Sequence, residues 1–177
     1  MEVKALEIRP LTKHDASAFR QIRLLAISDA PTAVWPTYAE EAGRTETEIE
    51  DRILKTDIQV VFGAFIDMNL VGIAGLRREP LEQVRHKAVL WGVFVSPDNR
   101  RDGLARKIFG HVRSFALAQG IKQIQLCVNT ENVRALHLYR SFGFKSFGTE
   151  PRAMRVGEKY FDEEHMMLRL DECVFAR

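Results

Sequence analysis

The chain of 177 residues is poor in cysteine, and its two cysteines, Cys127 and Cys173, form no spacing pattern. A disulfide scaffold needs several cysteines, and a zinc site needs Cys or His ligands a few residues apart. The sequence therefore predicts neither a disulfide framework nor a metal site, and it fits a reducing compartment.

Long apolar runs and a strong excess of one charge are also missing. The longest apolar run, AVLWGVFV, is far too short to cross a bilayer, and the N-terminal MEVKALEIRP does not resemble a signal peptide. The formal net charge is only +2, which does not favour nucleic acid or a membrane surface as the main partner. We therefore expect a cytoplasmic protein with neither of these partners.

The remaining composition is that of an ordinary globular protein, with 46% hydrophobic and 28% charged residues. Apolar periodicity and turn residues predict the order β-α-α-β-β-β-α-β-α-β-β. A capping box at Thr12 and Asp15 precedes the first helix, whereas Pro31 and Pro36 predict an irregular segment over residues 30–43. A hairpin-rich first half and a βαβ second half predict an α/β protein with one mixed sheet and helices on its faces.

The segment VFVSPDNRRDGLARKIFGHV, residues 93–112, combines a strand, a charged turn and a helix start. A helix that begins after Gly103 exposes free backbone N–H groups, and Arg100, Arg101 and Arg106 add positive charge there. These features suit a phosphate or pyrophosphate, although a plain turn with solvated arginines is the commoner explanation of a single glycine turn. The Walker and dinucleotide-binding motifs are excluded because their further glycines and the Gly-Lys-Ser/Thr sequence are missing.

This segment resembles the acyl-CoA-binding motif of the GCN5-related N-acetyltransferase (GNAT) superfamily, Arg/Gln-x-x-Gly-x-Gly/Ala at a strand end. The resemblance continues in IRPLTKHDA near the N-terminus and HMMLRL near the C-terminus, so it covers nearly the whole chain. A second family motif, Asn-x-x-Ala-x-x-Leu-Tyr followed by Gly-Phe, is matched in the family order and spacing by Asn132, Ala135, Leu138, Tyr139, Gly143 and Phe144.

The resemblance implies one GNAT-like domain over residues 1–177. Its fold is α/β, with a mixed, mostly antiparallel sheet, helices on both faces and a splayed strand pair that forms an acyl-CoA cleft. Acetyl-CoA would be the co-substrate, with no metal. Backbone groups of Val93, Phe94 and Val95 would hold the pantetheine arm and face the reacting oxygen, and Gly92 would mark the bulge that opens the cleft. The pyrophosphate would lie on the amides of Arg101, Asp102, Gly103, Leu104, Ala105 and Arg106.

Two residues of the second motif, Asn132 and Tyr139, are two helical turns apart and share one helix face. By the resemblance, Asn132 would bind the pantetheine arm and Tyr139 would give a proton to the leaving thiolate, since a tyrosine is protonated at neutral pH. The alternatives are a helix cap for Asn132 and a core aromatic with a hydrogen-bonded hydroxyl for Tyr139.

No glutamate occupies the two strands expected to splay. Leu90 and Trp91 lie on the first strand, and Cys127 lies on the second, where protein N-terminal acetyltransferases often carry glutamate. This argues mildly against a protein N-terminus as acceptor, and an inert buried thiol is favoured over a nucleophile. The base candidates, acting directly or through water, are Glu79, Asp162, Glu164 and His165.

The sequence therefore favours transfer of an acetyl group to a primary amine, by direct attack in a ternary complex. A small-molecule acceptor is favoured over a protein, and Trp35 and Tyr38 are candidate pocket walls, or else packing residues of a proline-rich loop. The alternatives are a non-catalytic acyl-CoA-binding regulatory module and a protein lysine or N-terminal acetyltransferase. The acceptor, the acyl chain preference and a homodimer through the final strands are left open.

Overall fold

The computed structural model describes residues 5–171, so Cys173 lies outside the described residues. Its strands are β1 (Leu6–Pro10), β2 (Gln59–Ile66), β3 (Asn69–Arg78), β4 (Lys87–Val95), β5 (Gln123–Asn129), β6 (Lys145–Val156) and β7 (Lys159–Arg169). Its α-helices are α1 (Ala16–Asp29), α2 (Tyr38–Ala42), α3 (Glu46–Ile53), α4 (Leu104–Ala118) and α5 (Val133–Ser141).

The seven strands form one sheet in the order β1-β2-β3-β4-β5-β7-β6. Only β4 and β5 pair in parallel, and every other neighbouring pair is antiparallel. This confirms the mixed, mostly antiparallel sheet, because hairpins join strands that follow one another and the α4 crossover joins the parallel pair.

Helices cover both faces of the sheet, and each face has its own apolar core. On one face Phe19 of α1 and Ile53 of α3 are buried against Ile73 of β3. On the other face, Ile108 and Val112 of α4 lie four residues apart and are buried against β4, β5 and β7. We call these the α1 face and the α4 face.

The parallel pair separates after three residue pairs, the last of which joins Val89 to Gln125. Both strands continue, β4 to Val95 and β5 to Asn129, without pairing to one another. The register of β4 against β3 shifts between the Trp91 and Phe94 pairs, so β4 carries an extra residue there. Gly92 lies within this bulge at φ +61°, a backbone conformation that favours glycine. The splayed pair and the bulge at Gly92 are confirmed.

The expectation of an irregular segment over residues 30–43 is wrong in part, because α2 occupies Tyr38–Ala42. Pro36 precedes the helix, where a proline breaks no helical hydrogen bond. The Thr37 side chain caps the Glu40 N–H, and the Glu40 carboxylate accepts from the Thr37 N–H at 2.7 Å. This second capping box explains why the helix begins directly after the proline.

A buried carboxylate joins the three helices of the α1 face. Glu41 of α2 is 1% exposed, and its oxygens accept from Arg23 Nε at 3.3 Å, Arg44 Nε at 3.4 Å and Arg52 Nη1 at 3.0 Å. Burial alone would raise the pKa of Glu41, but the charges of Arg23 and Arg52 outweigh it and hold the pKa below its usual value. Glu41 is therefore ionised and is the shared anion of three guanidinium groups.

The capping box expected at Thr12 and Asp15 is confirmed. The Thr12 N–H donates to Asp15 Oδ2 at 2.8 Å, and Arg9 Nη1 donates to the same oxygen at 2.8 Å. The hydrogen bonds from Arg9, and after them those from Thr12, lower the pKa of Asp15 from 3.8 to about 2 despite its partial burial. The Asp15 carboxylate therefore stabilises the start of the first helix while it is ionised.

Asp15→Asn is expected to lower the free energy of unfolding by about 2 kcal/mol at neutral pH. The folded-state pKa of Asp15 lies below its ordinary value, so its contribution is full above pH 3.8 and is lost as the pH falls through about 2. Urea unfolding of both proteins at about pH 6 and again near pH 3 measures this. A difference between the two proteins that is the same at both pH values contradicts the assignment.

Candidate functional site

The open edge of β4 presents backbone rather than side chains. Val95 is buried in the core of the α4 face and Val93 packs against it, whereas Phe94 is buried in the core of the α1 face. Beyond Val89 the β5 side of β4 has no strand partner within the described residues. Its N–H and C=O groups can therefore pair with an extended ligand that lies in the gap as a strand would, except for the Val95 carbonyl, which accepts from Arg100 Nε at 2.8 Å.

The turn after β4 exposes backbone amides at the start of α4. Arg101 and Gly103 have left-handed φ values of +77° and +70°, and Gly103 is the N-cap residue. The first helical hydrogen bond runs from the Lys107 N–H to the Gly103 carbonyl at 3.1 Å, so the preceding amides have no helical acceptor. A Cβ added to Gly103 would meet no described atom within 4 Å. This turn is an open cradle that suits an anion.

The arginines around this turn differ in their partners. Arg100 Nε donates to the Val95 carbonyl at 2.8 Å, and its Nη2 pairs with Asp29 at 2.6 Å. Arg106 lies over the Phe142 ring and donates to the Ser141 hydroxyl at 2.9 Å. Arg100 therefore braces the turn against α1 and shares its charge with Asp29, whereas Arg106 contacts neutral groups of α5 and keeps its positive charge beside the turn.

The Asn132 side chain is the N-cap of α5. Its Oδ1 accepts from the Ala135 N–H at 3.1 Å, so the capping alternative is confirmed. The carbonyl oxygen is engaged in the cap, and the Nδ2 end is the one that can donate to a ligand.

Tyr139 packs its ring in the α4-face core, yet its hydroxyl has no hydrogen-bond partner within residues 5–171. The ring meets Phe144 edge-on, with centroids 5.8 Å apart. Burial, and after it the neighbouring Cys127, raise the pKa of Tyr139 above its usual value. The hydroxyl therefore stays protonated at neutral pH and can donate.

The four predicted base candidates do not converge on one site. The Asp162 carboxylate accepts from the Arg152 N–H at 2.8 Å, and Glu164 pairs with Arg140 at 3.1 Å. Strand alternation places both on the face of β7 opposite to His165. His165 lies 3.1 Å from Glu150. Glu79 lines a separate cleft of about 340 Å³, together with Val84, Lys87, Ala88, Val89 and Gln125.

Glu163 is a carboxylate that the sequence analysis missed. It lies beside Trp35, one of the two predicted walls of the acceptor pocket. It is 6% exposed, and its Oε1 accepts from Trp35 Nε1 at 3.0 Å. Asn129, its register partner on β5, donates to the Thr32 carbonyl at 2.9 Å. The loop between α1 and α2 is thus tied across the ends of β5 and β7. Side chains alternate between the two faces along a strand. Because Met166 packs in the α4-face core, Glu163, three residues earlier, belongs to the α1 face.

The two predicted pocket walls differ in the structure. Trp35 is 70% exposed apart from its contact with Glu163, and Tyr38 on α2 is 54% exposed. Both exposures contradict the alternative of packing under the loop. Trp35 contacts the buried Glu163, whereas the side chain of Tyr38 has no hydrogen bond or ring contact in the described part of the chain.

Cys127 lies on β5 opposite His165 of β7, two residues before Asn129, the register partner of Glu163. Burial, and after it Glu163 and Glu150, raise the pKa of the Cys127 thiol to about 12. The thiol is therefore protonated at neutral pH, which supports the inert role over a nucleophile.

Two further properties of residues 5–171 bear on the site. No helix there combines the length and the apolarity needed to cross a lipid bilayer. No group of three or more His, Cys, Asp and Glu side chains is placed there to hold a metal ion.

The splayed sheet, the amide cradle and the tyrosine on α5 together define an acetyltransferase fold. The family model described as "Acetyltransferase (GNAT) domain" matches residues 8–166, which is most of the chain. The chain therefore belongs to the GNAT acetyltransferase family, as the two motifs predict.

Known proteins are similar at moderate identity. An uncharacterized protein of Mycobacterium leprae is 36% identical over 58% of this chain and 27% of its own length. Streptothricin acetyltransferase of Streptomyces lavendulae is 28% identical over 77% of this chain and 67% of its own. The yncA protein of Salmonella typhimurium, solved with its cofactor acetyl-CoA, superimposes with a TM-score of 0.80 at 22% identity and covers 94% and 95% of the two chains. The chain spans 27% to 67% of the length of the curated relatives it matches.

Proposed function

We propose that this chain transfers an acetyl group from acetyl-CoA to a primary amine of a small molecule, by direct attack. The observation that carries the proposal is the Tyr139 hydroxyl, which is protonated and has no hydrogen-bond partner among residues 5–171. Curated relatives named mycothiol acetyltransferase and streptothricin acetyltransferase support the small-molecule class of acceptor.

The residues of the gap fit acetyl-CoA along its length. The backbone of Val93–Val95 would pair with the pantetheine arm, and Asn132 Nδ2 would donate to it. The amides from Arg101 to Arg106 would hold the pyrophosphate, where open space at Gly103 lets phosphate approach the backbone. Bound acetyl-CoA supplies the thioester carbon that the amine attacks. Tyr139 gives its proton to the departing sulfur, and an N–H near Val93 or Phe94 faces the reacting oxygen.

Three further assignments belong to this proposal. A non-catalytic regulatory module would not need a protonated, unpartnered hydroxyl such as that of Tyr139, so we favour the enzyme. The low cysteine content favours the cytoplasm. Exposed residues dominate β6, so this outer strand is the surface for a homodimer, if one forms.

The proposal is tested by acetyl-CoA-dependent release of free thiol in the presence of a panel of polyamines, amino acids, aminoglycosides and peptides. We expect release with at least one small primary amine and formation of its N-acetyl product. Binding of CoA without release by any panel member would support the regulatory module instead. Release confined to peptides would favour the protein acetyltransferase.

Gly103→Ala is expected to weaken acetyl-CoA binding about 10-fold or more, because the added methyl group occupies the space that the phosphate would enter. The matched control is Gly120→Ala at the other end of α4, where φ is +68° and the added Cβ also meets no described atom within 4 Å. Both variants should lose a similar stability of about 1 kcal/mol from the left-handed φ. Titration calorimetry and thermal unfolding separate the two effects, and equal binding by both variants contradicts the cradle.

A further inference from the structure

Glu163 is a buried carboxylate without a cation. Its neighbours Glu164 and Glu150 lie near Arg140 and His165, but among residues 5–171 no basic side chain forms an ion pair with Glu163. Its hydrogen-bond partner in the structure is the neutral Trp35 N–H, at 3.0 Å. A carboxylate with 6% exposure is costly to bury unless a positive charge or several donors compensate it.

The position of Glu163 relates this carboxylate to the reacting centre. The β5–β7 register pairs Asn129 with Glu163 and Cys127 with His165, so these four side chains share the α1 face. β5, which carries Cys127 and Asn129, lies between β7 and β4 in the sheet and borders the gap. Glu163 is therefore on the α1 face, one strand away from the gap between β4 and β5.

We propose that Glu163 binds the ammonium group of the acceptor and removes its proton, with the Trp35 ring against the acceptor's carbon skeleton. This inference rests on the proposed function and adds that the acceptor is a cationic primary amine. A cation beside Glu163 completes the missing ion pair, and the exposed indole face adds cation–π attraction and apolar contact.

The proposed step balances in protons and electrons. Glu163 takes one proton from the ammonium group, and the freed nitrogen lone pair forms the N–C bond to the thioester carbon. The C–S electron pair leaves with sulfur, which Tyr139 protonates. The nitrogen loses its second proton, which restores Tyr139 through solvent, and Glu163 returns its own proton to water. The products are the N-acetyl amine, CoA thiol and one released proton.

The test compares wild type with Glu163→Gln, in which the amide oxygen can still accept from Trp35. The control is Glu131→Gln, an exposed carboxylate paired with Lys159 at 3.0 Å. Putrescine, tyramine, L-lysine and the uncharged methoxyamine are the probes, and 1,4-butanediol is the neutral match for putrescine. Calorimetry on the CoA-saturated proteins measures binding, and thiol release from acetyl-CoA measures turnover.

We expect Glu163→Gln to weaken binding of the best cationic amine about 10- to 100-fold and to lower its kcat/KM by at least about 100-fold. Methoxyamine is uncharged at neutral pH, so its turnover should change far less. Glu131→Gln should bind and acetylate each amine as wild type does. Both variants should bind acetyl-CoA with the affinity of wild type.

The inference is overturned if no panel amine binds wild type better than butanediol, or if Glu163→Gln binds and acetylates amines as wild type does. An equal loss with methoxyamine also overturns it, as does a loss seen with Glu164→Gln instead. If wild type binds cationic amines in a Glu163-dependent manner but releases no thiol with any of them, the ammonium site stands and the proposed function fails.

Discussion

Tyr139→Phe is expected to lower the turnover number about 100- to 10,000-fold, the usual effect of removing a general acid. The substitution removes only the hydroxyl, which has no hydrogen-bond partner within the described residues, so no protein hydrogen bond is lost. Phenylalanine retains the edge-on contact with Phe144. Stability and acetyl-CoA affinity should therefore stay close to wild type.

Tyr160→Phe is the matched control for this loss. Tyr160 is 43% exposed on β7 and lies under Arg152, away from the gap. Steady-state kinetics on both variants, with CoA affinity and thermal unfolding alongside, separate chemistry from folding. Full turnover by Tyr139→Phe with the true acceptor would show that the departing sulfur takes its proton from another group.

Glu41→Gln is expected to lower the free energy of unfolding by about 3–5 kcal/mol, the cost of breaking a buried ion pair by removing one partner. Arg23 is 2% exposed and would be left as a buried cation beside two further guanidinium groups without their shared anion. The first three helices would lose the group that joins them, and the loop that carries Trp35 leads directly into α2.

Glu82→Gln provides the comparison for Glu41→Gln. Glu82 pairs with Arg85 at 3.2 Å on the surface, and such exposed pairs contribute between about 0 and 1 kcal/mol. Urea unfolding of the two variants should therefore differ by several kcal/mol. A change below about 1 kcal/mol in Glu41→Gln would show that the arginines find other partners or solvent.

The fold could be predicted from local sequence patterns, and the proposal for the acyl-donor half of the site rests on patterns of the same kind. Residues 104–118 show a strong helical period, and the glycine turn before them is a contiguous signal. The second motif is equally local, since Asn132 and Tyr139 are fixed by one helix. Such features depend on residues near one another in the chain, so a single sequence is enough to detect them.

The acceptor half could not be predicted in the same way, because it depends on strand register. Trp35 and Glu163 are 128 residues apart, and nothing near either residue indicates the other. The three-arginine cluster around Glu41 likewise joins separate helices. Asp162, Glu163 and Glu164 look alike in sequence, and the pairing of β5 with β7 shows which of them shares a face of the sheet with Cys127.

Around the bulge at Gly92 and the gap beyond it, the backbone and the side chains of β4 have different roles. Val95 and Phe94 fill opposite cores with their side chains, while the peptide groups between them face the gap. Random substitutions along this strand would therefore lower folding stability and would have little direct effect on binding of the proposed donor. Apolar side chains of similar size can replace one another there during evolution. The backbone that we propose binds the donor would stay the same.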